Sequence, residues 1–340
     1  EVTGIYMKNW SQDLPGMKCP WAEDLADAKR VAVQLGIDFK VFDFEKEYKQ
    51  KVVDYMVDEY KKGRTPNPDI MCNQEVKFKL FLNAACEDGA EMIATGHYAK
   101  VNCDADDVSI EEVVSSSNDS RMPSRGVRLL MAKDTNKDQT YFLYRITGEA
   151  LRKTLFPLGD YTKAEVRELA KQRGLWTANK KESMGVCFVG SVGMRDFLCQ
   201  YVTTKPGDII EKSNGKRLGR HDGAIFYTLG QRHGLDVGGG LPYYVVGKNM
   251  DTNEVYVSTN LNDAAMWRQE LKLQDIHWIT DAPDENESLH VRLRHRGNLL
   301  PCRLNGTTLV LEQPERAATP GQSAVLYCGQ ECLGGGIVIE

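Results

Sequence analysis

No Cys-x-x-Cys pair occurs in the 340 residues, which speaks against a dithiol redox motif. The nine cysteines are odd in number, scattered and mostly inside apolar segments, a pattern of thiols in a reducing compartment rather than of a disulfide scaffold. Cys328 and Cys332 lie close together, but no second pair or nearby histidine completes a zinc set. Histidine is sparse, and His221, His233, His277 and His290 are dispersed without ligand spacing, so they read as surface or satisfied core residues. No apolar run approaches the roughly 20 residues needed to span a bilayer. Glu1 to Trp10 reads as a strand, not as a signal or transit peptide. There is no excess of positive charge either. At a net charge of −5, nucleic-acid binding has to come from local patches. No internal repeat is visible.

What is present is an ordinary globular composition, 41% hydrophobic and 27% charged, with enough length for two or three cored domains. Strand and helix alternate through the first half. Leu25, Ala28, Ala32 and Leu35 share a helix face closed by Gly36. Ile37 to Phe44 alternates as a strand, and Tyr48, Val52, Met56 and Tyr60 form the next helix face. Ala90 to Thr95 reads as a buried strand, with Gly96-His97-Tyr98 at its C-terminal end, where open parallel sheets bind ligands. Cys103 to Ser124 is acidic and Ser-rich and reads as a mobile surface insertion. Val127 to Ala132 resumes as a strand, Tyr141 to Ile146 as an aromatic helix, and Thr162 to Glu165 as a capping box. From about Lys205 the chain turns Gly-rich with short strand-like pieces. After Trp267 the alternation suggests a small antiparallel barrel. Cys86, Cys199 and Cys302 read as buried packing positions.

The stretch from Gly63 to Asn73, Gly-Arg-Thr-Pro-Asn-Pro-Asp-Ile-Met-Cys-Asn, is the most informative. A helix stops at Gly63, and two prolines forbid a quick return. Asn73 reads as the N-cap of a helix through Phe78, Phe81, Leu82 and Ala85, which places Cys72 at a helix N-terminus that favours a thiolate. Asp69 lies on the same turn, within reach for proton exchange. A packed cysteine and an Asp that caps its own turn are the alternatives. Ser183 to Gly190 puts Cys187 in a second Gly-bracketed apolar turn. Arg292, Arg294 and Arg296 fall on one face of a strand as a basic stripe, although Arg292 and Arg296 read better as solvated surface charges.

With these motifs placed, the chain resembles the tRNA-specific 2-thiouridylases, ATP-dependent enzymes that put sulfur on C2 of the wobble uridine. The resemblance runs through Met7-Lys8-Asn9-Trp10, Gly63 to Phe78, Ala94 to Tyr98, Lys137 to Tyr144, Phe156-Pro157-Leu158-Gly159, Ser183 to Gly190, Tyr227 to Arg232, Thr319 to Ala324 and Cys332 to Gly336. It implies an α/β fold. A parallel-sheet pyrophosphate-loop domain, of the adenine nucleotide α-hydrolase type, would cover residues 1–200. A small central domain would follow at 201–268, and a tRNA-contacting antiparallel β-barrel at 269–340. The family's Ser-Gly-Gly-x-Asp-Ser loop occurs nowhere in the sequence, so the first strand and loop are expected to be missing from this chain.

The resemblance also assigns roles. Cys187 would carry a persulfide, Cys72 would be the nucleophile and Asp69 the general acid/base, with a Cys72–Cys187 disulfide left for a reductant to reopen. Met7 and Gly96 would line the adenine nucleotide. Asn67, Pro68, Asp69 and His97 would meet the target base. Lys137, Asp138, Gln139, Arg294, His295 and Gln322 would contact the rest of the tRNA. The implied cofactors are ATP and Mg²⁺, with no protein-bound metal or cluster. The implied partners are tRNAs with Lys-, Glu- or Gln-type wobble uridines and a sulfur donor or cysteine desulfurase relay, with no membrane. The insertion and Lys181-Glu182-Ser183-Met184-Gly185 resemble eukaryotic mitochondrial members, the alternative being a bacterial-type cytoplasm. Two other functions stay open: a tRNA-binding protein without activity, and another pyrophosphate-loop adenylating enzyme.

Overall fold

The computed structural model describes residues 1–13, 19, 21–103, 126–180, 193–238, 240, 242–284 and 287–339. The Cys187 motif and, apart from Cys103, the segment read as a surface insertion fall outside these residues. The chain opens with β1 (Thr3–Lys8) and β2 (Asp38–Asp43), parallel and paired from Thr3 opposite Asp38 to Lys8 opposite Asp43, with α1 (Trp21–Leu35) as the crossover. Two long helices follow. α2 is α-helical over Glu45–Tyr48, π-helical over Lys49–Val53 and α-helical over Asp54–Lys61. α3 has the same sequence of turns over Pro68–Met71, Cys72–Phe81 and Leu82–Glu87. The face expected for α2 is the buried one: Tyr48, Val52, Met56 and Tyr60 pack on Val76, Phe78 and Phe81 of α3 in one core.

Next come β3 (Ile93–Ala94), the antiparallel hairpin of β4 (Ala99–Cys103) and β5 (Val127–Met131), and β6 (Thr154–Leu155), which pairs parallel with β3. β3 is shorter than the Ala90–Thr95 strand expected, because the Ala90 N–H closes α3 on the Ala85 carbonyl. Of the aromatic helix only α4 (Thr140–Leu143) forms, followed by α5 (Gly148–Arg152). α6 (Lys163–Gln172) begins with the expected capping box of Thr162 and Glu165.

The central unit is a four-stranded sheet of β7 (Gly207–Glu211), β8 (Arg217–His221), β9 (Tyr244–Asn249) and β10 (Glu254–Ser258), in the order β8-β7-β10-β9. The C-terminal unit comprises β11 (Trp267–Trp278), β12 (Leu289–Arg292), β13 (Leu300–Asn305), β14 (Thr308–Arg316), β15 (Ser323–Cys328) and β16 (Glu331–Val338). These pair antiparallel in the order β11-β14-β13-β12-β15-β16, and β16 pairs back onto β11, closing a six-stranded barrel. The expected classes of parallel sheet, small central unit and antiparallel barrel are therefore all present. The barrel is not self-contained, however. β5 adds to β16, with Leu130 opposite Glu331 and Leu129 opposite Cys332, so the β4–β5 hairpin extends the barrel sheet.

Among the expected packing cysteines, Cys302 is buried, Cys86 half-buried and Cys199 exposed. No described helix is long and apolar enough to cross a membrane.

Candidate active site

The site is built around the start of α3. Asn67 is its N-cap, with the side-chain oxygen accepting the Asp69 N–H at 3.1 Å, and Pro68 takes the first helical position, where no N–H is needed. The N-cap is thus Asn67, six residues before the Asn73 cap read from the sequence, and the helix begins at Pro68. Cys72 is consequently in the second turn, its N–H already bonded within the helix. Dipole stabilisation of a thiolate falls off within one turn, so the N-terminal argument for Cys72 weakens. The thiol is buried. Asn73 instead anchors α3 sideways: its Nδ2 donates to the Phe142 carbonyl at 3.0 Å, while its buried Oδ1 has no hydrogen-bond partner among the described residues.

Asp69 is half-buried, and burial raises its pKa above the ordinary carboxylate value, opposed by the Lys77 ammonium. His97 is buried in an aromatic pocket, its ring 5.6 Å from Phe78 and 6.0 Å from Phe156. Its Nδ1 hydrogen-bonds the Thr95 hydroxyl at 2.9 Å. Burial drives the His97 pKa well down, with Lys77 pushing the same way, so the imidazole is neutral. One lysine thus acts on two of the four residues expected at the target base, Asp69 and His97. Sequence reading passed over Lys77; its signal was the Asp69–Asn73–Lys77 spacing along one helix. Gly96 is exposed at the β3 end, where an added Cβ would meet only Leu158 Cδ1, at 3.8 Å. Met7 lies in β1 opposite Phe42, half-buried and packed against the core.

The segment before α3 is held by the other two units. The Thr65 N–H donates to the Pro320 carbonyl at 2.9 Å, its hydroxyl meets that of Thr228 at 3.1 Å, and its carbonyl accepts from Gln322 Nε2 at 2.6 Å. Gln322, expected on the tRNA, thus has its amide nitrogen committed to the catalytic segment. Beside it lies a cavity of about 350 Å³, lined among others by Arg294, Arg316, Thr228 and Thr319. Arg294 is exposed, 3.6 Å from Glu315. His295 stacks near Phe142 at 4.5 Å, its Nδ1 buried without a partner among the described residues.

The Lys137–Gln139 segment needs a correction. Lys137 is half-buried, and Gln139 exchanges hydrogen bonds with the Tyr98 backbone. Asp138, however, is only 1% exposed. Its Oδ1 accepts from Ala132 N, and its Oδ2 accepts from the Thr140 hydroxyl at 2.7 Å and Arg292 Nη1 at 3.0 Å, so its side chain is not offered to RNA. The same pair overturns the reading of Arg292 as a surface charge: it is buried, over the Tyr327 ring at 5.2 Å. The basic stripe also dissolves, because β12 ends at Arg292 and Arg296 sits at φ +60° in the following turn. Among the described residues no group of three His, Cys, Asp or Glu side chains is placed to hold a metal ion.

Three family models cover almost the whole chain: a tRNA methyl transferase HUP domain over residues 1–191, its PRC-barrel domain over 195–259 and an aminomethyltransferase beta-barrel domain over 268–338. The chain is 41% identical over its full length to tRNA-specific 2-thiouridylase MnmA 2 of Geobacillus kaustophilus, covering 88% of that protein. It is 43% identical over 99% of its length to the MnmA enzyme of Legionella pneumophila (91% of that protein) and 40% identical to that of Bacillus subtilis (88%). The chain belongs to the tRNA-specific 2-thiouridylase family. Neither the mitochondrial origin nor the missing loop expected above gains support from these matches, and the relatives named are bacterial.

Proposed function

We propose that the protein is a sulfurtransferase that places sulfur on C2 of a wobble uridine in tRNA, using ATP to activate the base. The reading rests on the whole-chain relationship to 2-thiouridylases together with one local observation. Asp69 and Cys72, on the first two turns of α3, share a helix with the lysine that acts on His97 at the open β3 end. The C2 oxygen is a poor leaving group, and adenylation makes AMP the leaving group instead. Gly96 and Met7 belong to the nucleotide side of this reading. Asn67, Pro68, Asp69 and His97 belong to the target base, and Lys137, Gln139, Arg294, His295 and Gln322 to the surrounding RNA.

In the sulfur step, the terminal sulfur of a Cys187 persulfide attacks C2 and AMP departs with the electron pair of the broken C–O bond. The Cys72 thiolate then attacks the Cys187 sulfur, which leaves the outer sulfur on the base and a Cys72–Cys187 disulfide. An external dithiol reopens it. Asp69 accepts the Cys72 proton as the thiolate forms. Substrate tRNAs with Lys-, Glu- or Gln-type wobble uridines and a persulfide-donating partner complete the reading.

The test is to incubate the protein with ATP, Mg²⁺, a sulfur donor and unmodified tRNA, and to measure 2-thiouridine in digested nucleosides by mass spectrometry. Wild type is expected to form it, and Cys72→Ala and Cys187→Ala to form none. Product surviving Cys72→Ala would remove Cys72 from the mechanism. Tight tRNA binding without product in the wild type would turn the reading to a non-catalytic tRNA binder.

A further inference from the structure

Lys77 carries no role in the reading above, yet it is the one charged group among the described residues that acts on both Asp69 and His97. Its place follows from the helix. Between Asp69 and Lys77, α3 passes from α- to π-helical turns, and the wider turns bring the residue eight positions on back beneath Asp69 after roughly two full turns. Side chains on a helix lean toward its N-terminus, so Lys77 reaches back along the face of Asn73 and Asp69. Its neighbour Phe78 packs on His97, which fixes this face against the β3 end. The Lys77 side chain is half-buried, and its ammonium makes no hydrogen bond or ion pair with a described residue. A partly desolvated cation without a close anion favours one that a ligand brings. Space for it exists at Gly96, which is exposed and glycine-bare.

We propose that Lys77 is a further catalytic residue of this site, whose ammonium takes the phosphoryl group carried by the activated base and stabilises AMP as it leaves. This rests on the thiolation reading above. As the C2–S bond forms and the C2–O bond breaks, the electron pair leaves on the AMP phosphate oxygen, and Lys77 contributes charge alone. Asp69 feels the same cation, so burial that would hold its carboxyl protonated is partly offset while the site waits for substrate.

The experiment compares wild type with Lys77→Met, Lys77→Gln and Lys77→Arg under single-turnover conditions with saturating ATP and tRNA. It reads 2-thiouridine and AMP, and tRNA affinity measured without ATP. The expected result is a loss on the order of 10²-fold in rate for Lys77→Met and Lys77→Gln, as for removal of one transition-state donor. tRNA affinity without ATP is unchanged, because the phosphoryl group joins the base only after activation, and Lys77→Arg recovers most of the rate. The acid limb of the Lys77→Gln rate profile moves to higher pH, because Asp69 and His97 both lose the cation that lowers their pKa values. Rates near wild type in Lys77→Met and Lys77→Gln would overturn the proposal. So would a loss that tracks weakened tRNA binding and is not recovered by Lys77→Arg. A wild type that makes neither AMP nor 2-thiouridine would sink the underlying reading and this role with it, whereas an active wild type with active Lys77 variants sinks only the role.

Discussion

Replacing Gly321 with alanine should damage the catalytic segment from a distance. Gly321 sits at φ +92°, and a Cβ there would lie 2.7 Å from Thr65 N, 2.9 Å from Arg64 Cβ and 2.9 Å from Thr65 C. Two costs add. A side chain in the left-handed region costs about 1–2 kcal/mol, and forcing a methyl into occupied space costs about 1–3 kcal/mol more. The obstacle is backbone, so relief requires the Gly63–Pro66 segment to move, taking with it the Thr65 bonds to Pro320, Thr228 and Gln322. Gly329 supplies the control: it has φ +56° but nothing within 4 Å of an added Cβ, so Gly329→Ala should cost only the backbone part. Urea unfolding should place Gly321→Ala about 1–3 kcal/mol below Gly329→Ala. Thiolation should fall on the order of 10²-fold in Gly321→Ala alone, since misplacement near 1 Å at a reacting group has that effect. Equal stabilities for the two variants, with full thiolation in Gly321→Ala, would refute the view that the barrel positions the catalytic segment.

Three further outcomes can be checked. Asp138→Ala leaves Arg292 buried without its anion and should destabilise the protein by about 3–5 kcal/mol, while Asp138→Ala combined with Arg292→Met should cost less than the sum of the two single changes in a denaturation cycle. Lys248, whose Nζ donates to the Tyr227 carbonyl, has its pKa pushed down by burial to about 8. A lysine with a depressed folded pKa binds its proton more weakly than the unfolded chain does. Stability should therefore rise with pH from about 8 toward 10.5, and Lys248→Met should flatten that rise in melts taken across the range. Met56→Ala, at a fully buried position between α2 and α3, should cost about 2–5 kcal/mol in urea unfolding.

Much of this was legible in the sequence because the period of apolar residues carries the signal. The Tyr48–Tyr60 face and the barrel alternation could be read directly, as could the capping box at Thr162. What escaped depended on partners distant in sequence. Asn73 looked like a cap because it precedes a helical pattern, but Asn67 with Pro68 offers a better start, and Asn73 is needed to hold Phe142. Arg292 looked like surface because arginine usually is. Only the fold reveals that Asp138, more than 150 residues earlier, is buried beside it. Lys77 was missed because a helix read from Asn73 leaves Asp69 outside it, and the Asp69–Asn73–Lys77 spacing carries meaning only once the helix starts at Pro68.

The pairing of β5 with β16 also sets a schedule for making the protein. Leu129 and Leu130 wait for Cys332 and Glu331, about 200 residues downstream. At a ribosomal rate of about 5–20 residues per second that is roughly 10–40 s. Through that interval the outer edge of β5, rich in Leu and Val, has no strand to pair with. The N-terminal unit therefore cannot finish before the C-terminal barrel emerges. Nascent chains halted before residue 331 should be the species that chaperones hold, and shortening the C-terminus should provoke aggregation through an edge some 200 residues away from the cut.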